Sequence, residues 1–402
     1  MPAPLKPSTL LTTLGRAKPV RDDARQPGFV NPPLVRGSTV LHADVADMRA
    51  RVRRGAAGDD SGPVTYGIHG TPTHAALLEA ITALEGGARS WALPSGLTAC
   101  TAAILAFVGQ GDHVLVTDSA YGPTREFCLT TLARYGVATN FYDPRADAAA
   151  LEPLFRPTTR LLLLESPGSL TFEIQDVPAL AALARRRGAV SVIDNTWATP
   201  LHFQPLRHGV DVSVHAATKY IGGHADLMLG TVTTNAEQAE PMRSFVRSLG
   251  LYVSPDDCWL ALRGLRSLAA RLERHRASAE RLIDWLLGQP EVERILYPTR
   301  PEDPGHALWR RDFSGASGLF GVALRPQVGV AACTALLDDT RLFGRGYSWG
   351  GFESLMIPCF PRRDVAAPPF AGPLLRISAG LEDADDLIED LRDGFGRLRA
   401  AA

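Results

Sequence analysis

Between residues 73 and 84 the apolar side chains Ala76, Leu77, Ala80, Ile81 and Leu84 recur every three or four positions, and the run stops at Gly86-Gly87. That spacing puts them on one face of a helix, with the glycine pair as its C-terminal stop. A short apolar strand over 90–93 follows, then the turn Pro94-Ser95-Gly96, a helix over 97–108 and a strand over 113–117. The alternation continues with helices over 124–135, 148–155 and 177–187. Strands fall between them at 137–142, 160–165 and 189–194, and later at 210–215 and 230–234. Strands that are unbroken apolar runs between helices belong to a mostly parallel sheet covered on both faces. This part of the chain is therefore an α/β domain, assigned to residues 66–262.

The flanking regions read differently. Residues 1–65 contain Pro32-Pro33, several arginines and the polar run 55–62, with little sustained periodicity. They read as an arm that takes its order from a neighbour. After Pro255 a long helical pattern over 256–287 carries Arg263, Arg266, Arg271 and Arg274, read as a solvated or interdomain face. Shorter strands over 293–297, 319–324 and 374–378 and a last helix over 383–398 make residues 263–402 a smaller α+β domain.

Composition narrows the function classes. The chain has 402 residues, 42 Lys plus Arg and 43 Asp plus Glu, and a formal net charge of -1. That balance excludes a strongly basic nucleic-acid binder and a polybasic membrane-surface protein. No stretch approaches the ~18 apolar residues of a membrane span, and no N-terminal apolar core of a signal peptide is present. The expected location is the cytoplasm. Cys100, Cys128, Cys258, Cys333 and Cys359 are scattered and odd in number, so they read as reduced core thiols. Lysine occurs only as Lys6, Lys18 and Lys219, the other basic residues being arginine. A GC-rich genome explains most of that bias, but not why one lysine remains in the body of the chain.

In open α/β sheets, ligands lie at the carboxyl ends of the strands, so polar residues ending apolar runs are the places to look. Val192-Ile193-Asp194 runs into Asn195-Thr196-Trp197, and Val212 to Ala217 runs into Thr218-Lys219. Leu93 precedes Ser95-Gly96 at a helix start. Each end taken alone is as well explained by a helix cap or a turn. Together, a carboxylate, a lysine and a helix N-terminus on one rim are what pyridoxal 5'-phosphate requires. The lysine forms the imine, the carboxylate keeps the pyridine nitrogen protonated, and the helix amides take the phosphate. Arginine cannot replace this lysine, because its guanidinium is not deprotonated in proteins.

Several longer stretches carry a resemblance. They are Tyr66-Gly67 with Gly70-Thr71-Pro72-Thr73, Leu84-Glu85-Gly86-Gly87, Ser119-Ala120-Tyr121-Gly122-Pro123, Glu165-Ser166-Pro167-Gly168, Asp194-Asn195-Thr196-Trp197, Ala217-Thr218-Lys219-Tyr220 and Tyr347 to Ser354. In order and spacing, from about residue 30 to the C-terminus, the chain resembles the cysteine/methionine-metabolism family of pyridoxal-phosphate enzymes. The resemblance implies a fold type I, aspartate-aminotransferase-like large domain with a smaller C-terminal domain. It implies that Lys219 is the Schiff-base lysine and proton shuttle, Asp194 the pyridinium partner, and Tyr121 the tyrosine over the cofactor ring. Gly96, Leu97 and Thr218 resemble phosphate contacts, as does Tyr66 reaching into a neighbouring subunit's site, where it also meets substrate. Arg376 resembles the arginine that grips the substrate α-carboxylate, with Ser348 and Trp349 also beside substrate.

The reaction so implied is β-elimination of a sulfur leaving group from an L-amino acid, with cystathionine giving homocysteine, pyruvate and ammonia toward methionine. Trp349 is the feature that favours β over the γ-directed relatives, the γ-lyases, γ-synthases and methionine γ-lyases. Outside the family, a dinucleotide-binding oxidoreductase lacks its glycine fingerprint here, since Gly344-Arg345-Gly346 has no third glycine. A noncatalytic regulator does not explain the intact set of Lys219, Asp194, Tyr121 and Arg376. No metal is implied, because the histidine spacings put no two ligands on one helical face, and His202, His208 and His275 read as surface residues. The resemblance also implies a homotetramer with active sites shared between subunits. One departure stands out: where many relatives read Tyr, any residue, Arg, this chain reads Tyr66-Gly67-Ile68, leaving a cation such as His69 or neutral donors to serve the phosphate. The expected consequence is faster cofactor loss than from an arginine-bearing relative in matched dialysis; equal or slower loss contradicts it.

Overall fold

The apolar runs that alternate with helices assemble into one seven-stranded sheet. Its strands are β1 (Arg89–Leu93), β2 (His113–Thr117), β3 (Ala138–Tyr142), β4 (Thr159–Glu165), β5 (Val190–Asp194), β6 (Val212–Ala216) and β7 (Gly230–Thr234). This computed structural model describes residues 5–16, 29–56, 58, 64–365 and 367–401. The strand order is β1-β7-β6-β5-β4-β2-β3. From β6 to β3 every pairing is parallel, and only β7 runs against its two neighbours. Continuous burial of Val114, Leu115, Val116 on β2 and Leu161 to Leu164 on β4 shows why these runs do not alternate: helices cover both faces. The parallel arrangement brings the carboxyl ends of β2, β4, β5 and β6 to one edge, where Tyr121, Glu165, Asp194 and Lys219 follow.

A second sheet of four antiparallel strands, in the order β10-β11-β9-β8, lies toward the C-terminus. It comprises β8 (Val292–Leu296), β9 (Leu319–Leu324), β10 (Leu355–Cys359) and β11 (Leu374–Ser378). The long helix Pro255–Leu286 runs between the two regions and buries residues along its whole length, from Cys258 to Leu286. Two polar bolts join the regions: the Trp197 indole N–H donates to the Leu319 carbonyl at 2.9 Å, and the Gly318 N–H donates to the Tyr220 hydroxyl at 3.0 Å. Each satisfies a polar atom inside an apolar seam, which would otherwise be costly to bury.

The structure adds detail to the arm and the long helix. Helices Pro7–Thr13 and Val45–Ala56 form within the first 65 residues, while most of the polar run, 57 and 59–62, lies outside the described residues, as does Lys18. The first helix packs on its own chain: Leu11 is buried, and Arg266 donates to the Leu11 and Leu14 carbonyls at 2.7 and 2.6 Å. Arg266 and Arg271 therefore do not face solvent as a stripe. Arg271 is buried and donates to the Gly264 carbonyl at 2.8 Å. Helices Ala239–Ser248, His306–Asp312 and Val330–Leu337 and strand β10 were not evident from periodicity.

His275 is likewise no surface residue. It is fully buried, its Nδ1 lies 2.7 Å from the Ala379 carbonyl, and the Tyr220 ring stands edge-on beside it. Burial pushes its pKa down from 6.5 to about 4. The imidazole takes up a proton near pH 6.5 in the unfolded chain but resists until about pH 4 when folded. The associated stability is present above pH 6.5 and lost as pH falls toward 4, up to about 3 kcal/mol for this shift. The thermal midpoint of the wild type should therefore fall more steeply between pH 7 and 4.5 than that of a His275→Gln variant. Parallel slopes would refute this assignment.

Candidate active site

Lys219 follows β6 after the turn Ala217-Thr218 and is set in place by its own backbone, its N–H donating to the Ala216 carbonyl at 3.0 Å. Behind it, β6 is held by a fully buried contact between His215 Nε2 and Glu85 Oε1 from the end of the helix Pro72–Glu85. The Lys219 amine reaches toward the second sheet. Its Nζ donates to Ser348 Oγ at 2.7 Å and stands 5.4 Å from the centre of the Trp349 ring. Trp349 in turn leans on Tyr220 with ring centres 5.3 Å apart. Arg376, on β11, donates to the Ser348 carbonyl at 2.9 Å, so one residue touches both cations. Burial, and then the Arg376 charge, bring the amine from 10.5 to about 8, against the pull of Asp194. An amine so placed is a nucleophile near neutral pH.

Asp194 ends β5 and is oriented by the residues just after it. Its Oδ1 accepts the Thr196 hydroxyl at 2.5 Å and the Thr196 N–H at 2.9 Å, while the Thr196 hydroxyl accepts the Ala216 N–H at 2.9 Å. The other carboxylate oxygen receives a long contact from the Cys100 thiol, 3.5 Å away. Burial and Asp194 together push that thiol well above its ordinary range, so it stays protonated and acts only as a weak donor. Glu165, the register partner of Asp194 on β4, accepts the Tyr121 N–H at 2.7 Å. Burial and the Asp194 charge hold Glu165 well above the usual carboxylate range. The Tyr121 hydroxyl is also shifted up, by burial and then by Asp194, Cys100 and Glu165, with Arg376 opposing.

The helix Gly96–Leu105 begins at the same edge. Ser95 caps it, accepting the Thr98 N–H at 3.0 Å. The amides of Gly96 and Leu97 fall in its first turn, where no intrahelical partner exists. A Cβ on Gly96 would lie 2.4 Å from the Ala216 Cβ, so only glycine lets this terminus meet the strand end that leads to Thr218 and Lys219. Thr218 Oγ1 accepts the Leu229 N–H at 3.0 Å.

Geometry thus unites Lys219, Ser348, Trp349 and Arg376, and sets Asp194, Tyr121 and Glu165 along the facing edge. Tyr66 stands apart from them within this chain. It is half exposed and bridges Thr39. Burial and then the nearby Arg247 lower the pKa of His69 from 6.5. Cys100 was anticipated as a reduced core thiol, but not as a neighbour of Asp194. Glu165 ends an apolar strand just as Asp194 does, so the same strand-end argument would have found it. No cluster of His, Cys, Asp and Glu suited to a metal ion occurs among the described residues.

The sequence model of the Cys/Met metabolism PLP-dependent enzymes matches residues 13–396. The chain belongs to that family. A Rhizobium johnstonii relative is 49% identical over 377 residues, covering 93% of each chain. The cystathionine beta-lyase MetC of Escherichia coli is 41% identical over 378 residues, covering 92% of this chain and 94% of that one. A crystal structure of cystathionine gamma synthase from Xanthomonas oryzae pv. oryzae, in complex with aminoacrylate and cysteine, superposes with a TM-score of 0.87 at 30% identity over 100% of both chains. The fold is thus the type I architecture of pyridoxal-phosphate enzymes.

The donor set fits that cofactor: an amine able to add to an aldehyde, a hydrogen-bonded carboxylate at the neighbouring strand end, and a glycine-tight helix terminus for an anion. Only the unprotonated amine attacks an aldehyde. Loading of cofactor-free protein should therefore speed up about tenfold per pH unit below pH 8 and level off above it. Stopped-flow absorbance between pH 6.5 and 9.5 measures this, and a flat profile contradicts the depressed Lys219 value.

Proposed function

We propose that this chain is a carbon–sulfur β-lyase that cleaves L-cystathionine with water to homocysteine, pyruvate and ammonia, in the cytoplasm, as a step toward methionine. The observation that carries the reading is the Lys219 amine, brought to about 8 and held 2.7 Å from Ser348 Oγ between the two sheets. The 41% identity to a cystathionine beta-lyase over nearly the whole chain supports the same substrate.

When bound, the cofactor supplies an electron sink conjugated to the substrate Cα. The protein's own groups do the rest. Arg376 binds the α-carboxylate through a guanidinium fork, and its link to Ser348 keeps that fork at a fixed height over the amine. Lys219 takes the proton from Cα, and Ser348 Oγ aims the amine lone pair. Tyr121, its loop pinned to Glu165, would stack on the ring of the bound cofactor. Asp194, locked by Thr196, would keep the pyridine nitrogen protonated. Gly96, Leu97 and Thr218 would hold the phosphate. The Trp349 indole beside Lys219 limits the room past Cβ, which favours departure of sulfur from Cβ over Cγ.

The active form in this proposal is a homotetramer, a dimer of dimers in which Tyr66 enters the partner's site. Helix Val45–Ala56 supports that assembly. It buries no residue on its own chain and leaves Val45, Met48 and Val52 exposed at helical spacing. The deciding experiment offers L-cystathionine to the loaded enzyme. Pyruvate with homocysteine is expected, and 2-oxobutyrate with cysteine would assign the chain to the γ-directed branch. The Lys219→Ala variant should lose at least about a thousandfold in kcat, since nucleophile and proton carrier go together; near-normal turnover would overturn the reading.

A further inference from the structure

The chain leaving β10 crosses back to the large sheet and is gripped there at two points. Asp118, just beyond β2, is fully buried and accepts the backbone N–H groups of Asp364 at 3.0 Å and Val365 at 2.9 Å. Arg125 completes this knot. It donates to the Asp118 carboxylate at 2.7 Å and to the Asp118 carbonyl at 3.1 Å, contacts the Asp364 carboxylate, and lies 3.8 Å above the centre of the Phe141 ring. One residue earlier, Arg363 donates to both Glu173 oxygens at 2.9 and 3.2 Å and contacts the Thr171 hydroxyl, with both charged side chains nearly buried.

These two anchor points are the two loops that frame Tyr121. Residues 118–121 run from Asp118 to Tyr121 itself, and residues 166–174 follow Glu165, which holds the Tyr121 N–H. The loops are also joined to each other. The Ser169 N–H donates to the Ser119 carbonyl at 2.8 Å, and a Cβ on Gly168 would lie 2.4 Å from the Ser119 hydroxyl. On the other side, β10 pairs with β11 so that Ile357 faces Arg376. Only five residues separate Ile357 from Arg363. The covalent and hydrogen-bonded path therefore runs unbroken from Arg376 through β11, β10, residues 361–365 and Asp118 to Tyr121.

We propose that Asp118, Arg125 and Arg363 are positioning residues whose clamp on residues 363–365 sets the separation between Arg376 and Tyr121, and so tunes how tightly an amino-acid α-carboxylate is held over the cofactor. The proposal rests on the reading of Arg376 as the carboxylate grip. Burial of Asp118 alone would raise its pKa, but the N–H groups of Val365 and Asp364 and the Arg125 charge outweigh burial and hold it low. The knot is therefore ionised at neutral pH. Charge-assisted bonds to backbone N–H groups are strong and short-ranged, so they fix a distance better than apolar packing does. Small displacements of a substrate grip have large effects, as much as a hundredfold per ångström.

The test uses the cofactor-loaded enzyme and glycine, an amino acid with a carboxylate but no leaving group, whose binding is read from the visible absorbance of the cofactor. In Arg363→Met, glycine affinity should fall about tenfold and KM for cystathionine should rise in parallel, with kcat within about threefold and cofactor retention unchanged. Arg363→Lys should recover part of the loss. Amide hydrogen exchange in residues 118–121 should also quicken in Arg363→Met, although Arg363 touches none of them. Unaltered glycine affinity together with unaltered exchange overturns the proposal, and so does a matching loss of cofactor. Asp118→Asn, which keeps an acceptor for the two N–H groups but loses the charge toward Arg125, should give a smaller shift of the same kind; no shift in either variant likewise overturns it. An Arg376→Ala variant that binds glycine as the wild type does would instead refute the underlying assignment of Arg376, while the exchange result would still report on the clamp.

Discussion

The site depends on keeping one amine out of water. An ammonium group is strongly hydrated, and removing that hydration, with a guanidinium nearby, is what brings Lys219 from 10.5 to about 8. Neither sheet achieves this alone. The large sheet supplies the lysine at the end of β6, while Ser348, Trp349 and Arg376 come from beyond residue 340. The seam between the regions must therefore be closed and polar-satisfied for the chemistry to exist. The bolts from Trp197 to Leu319 and from Gly318 to Tyr220 are as much a part of the reactive amine as its immediate neighbours.

Opposite charges face each other across that seam. Asp194 ends β5 of the large sheet beside Glu165, which burial disfavours as an anion, whereas Arg376 stands on the small-sheet side. In the proposed reaction, that arrangement orients a zwitterionic amino acid with its carboxylate to the arginine and its amino group toward the lysine. The field is steep because the groups are desolvated, and weak screening in such a site makes fixed charges more effective than they are at the surface.

Much of this was legible in the residues. Strand β2 has the bounds its apolar run predicts, and the chemistry-bearing strand ends follow from the rule that parallel sheets bind ligands at their carboxyl edge. What escaped was either locally unremarkable or distant in sequence. Helix Val45–Ala56 has its apolar residues on an exposed face and many arginines around them, so periodicity alone gave no reason to see it. His275 and Arg271 resemble surface residues by type, and only the tertiary partners Ala379 and Gly264 explain their burial. Asp118 and Val365 lie 247 positions apart, and no local pattern links a carboxylate to a backbone N–H at that separation. Arg363 and Arg125 were further hidden by a composition in which arginine is the ordinary cation.

That composition has a chemical side as well. An aldehyde cofactor is a hazard to its own protein, because any exposed primary amine can form an adventitious adduct with it. Here Lys6 is exposed near the N-terminus, and between residue 18 and the C-terminus the sole side-chain amine is the half-buried Lys219. Surface cations elsewhere are guanidinium groups, which do not form such imines. Beyond residue 18, therefore, the site's own amine is the only lysine that a stray aldehyde can label.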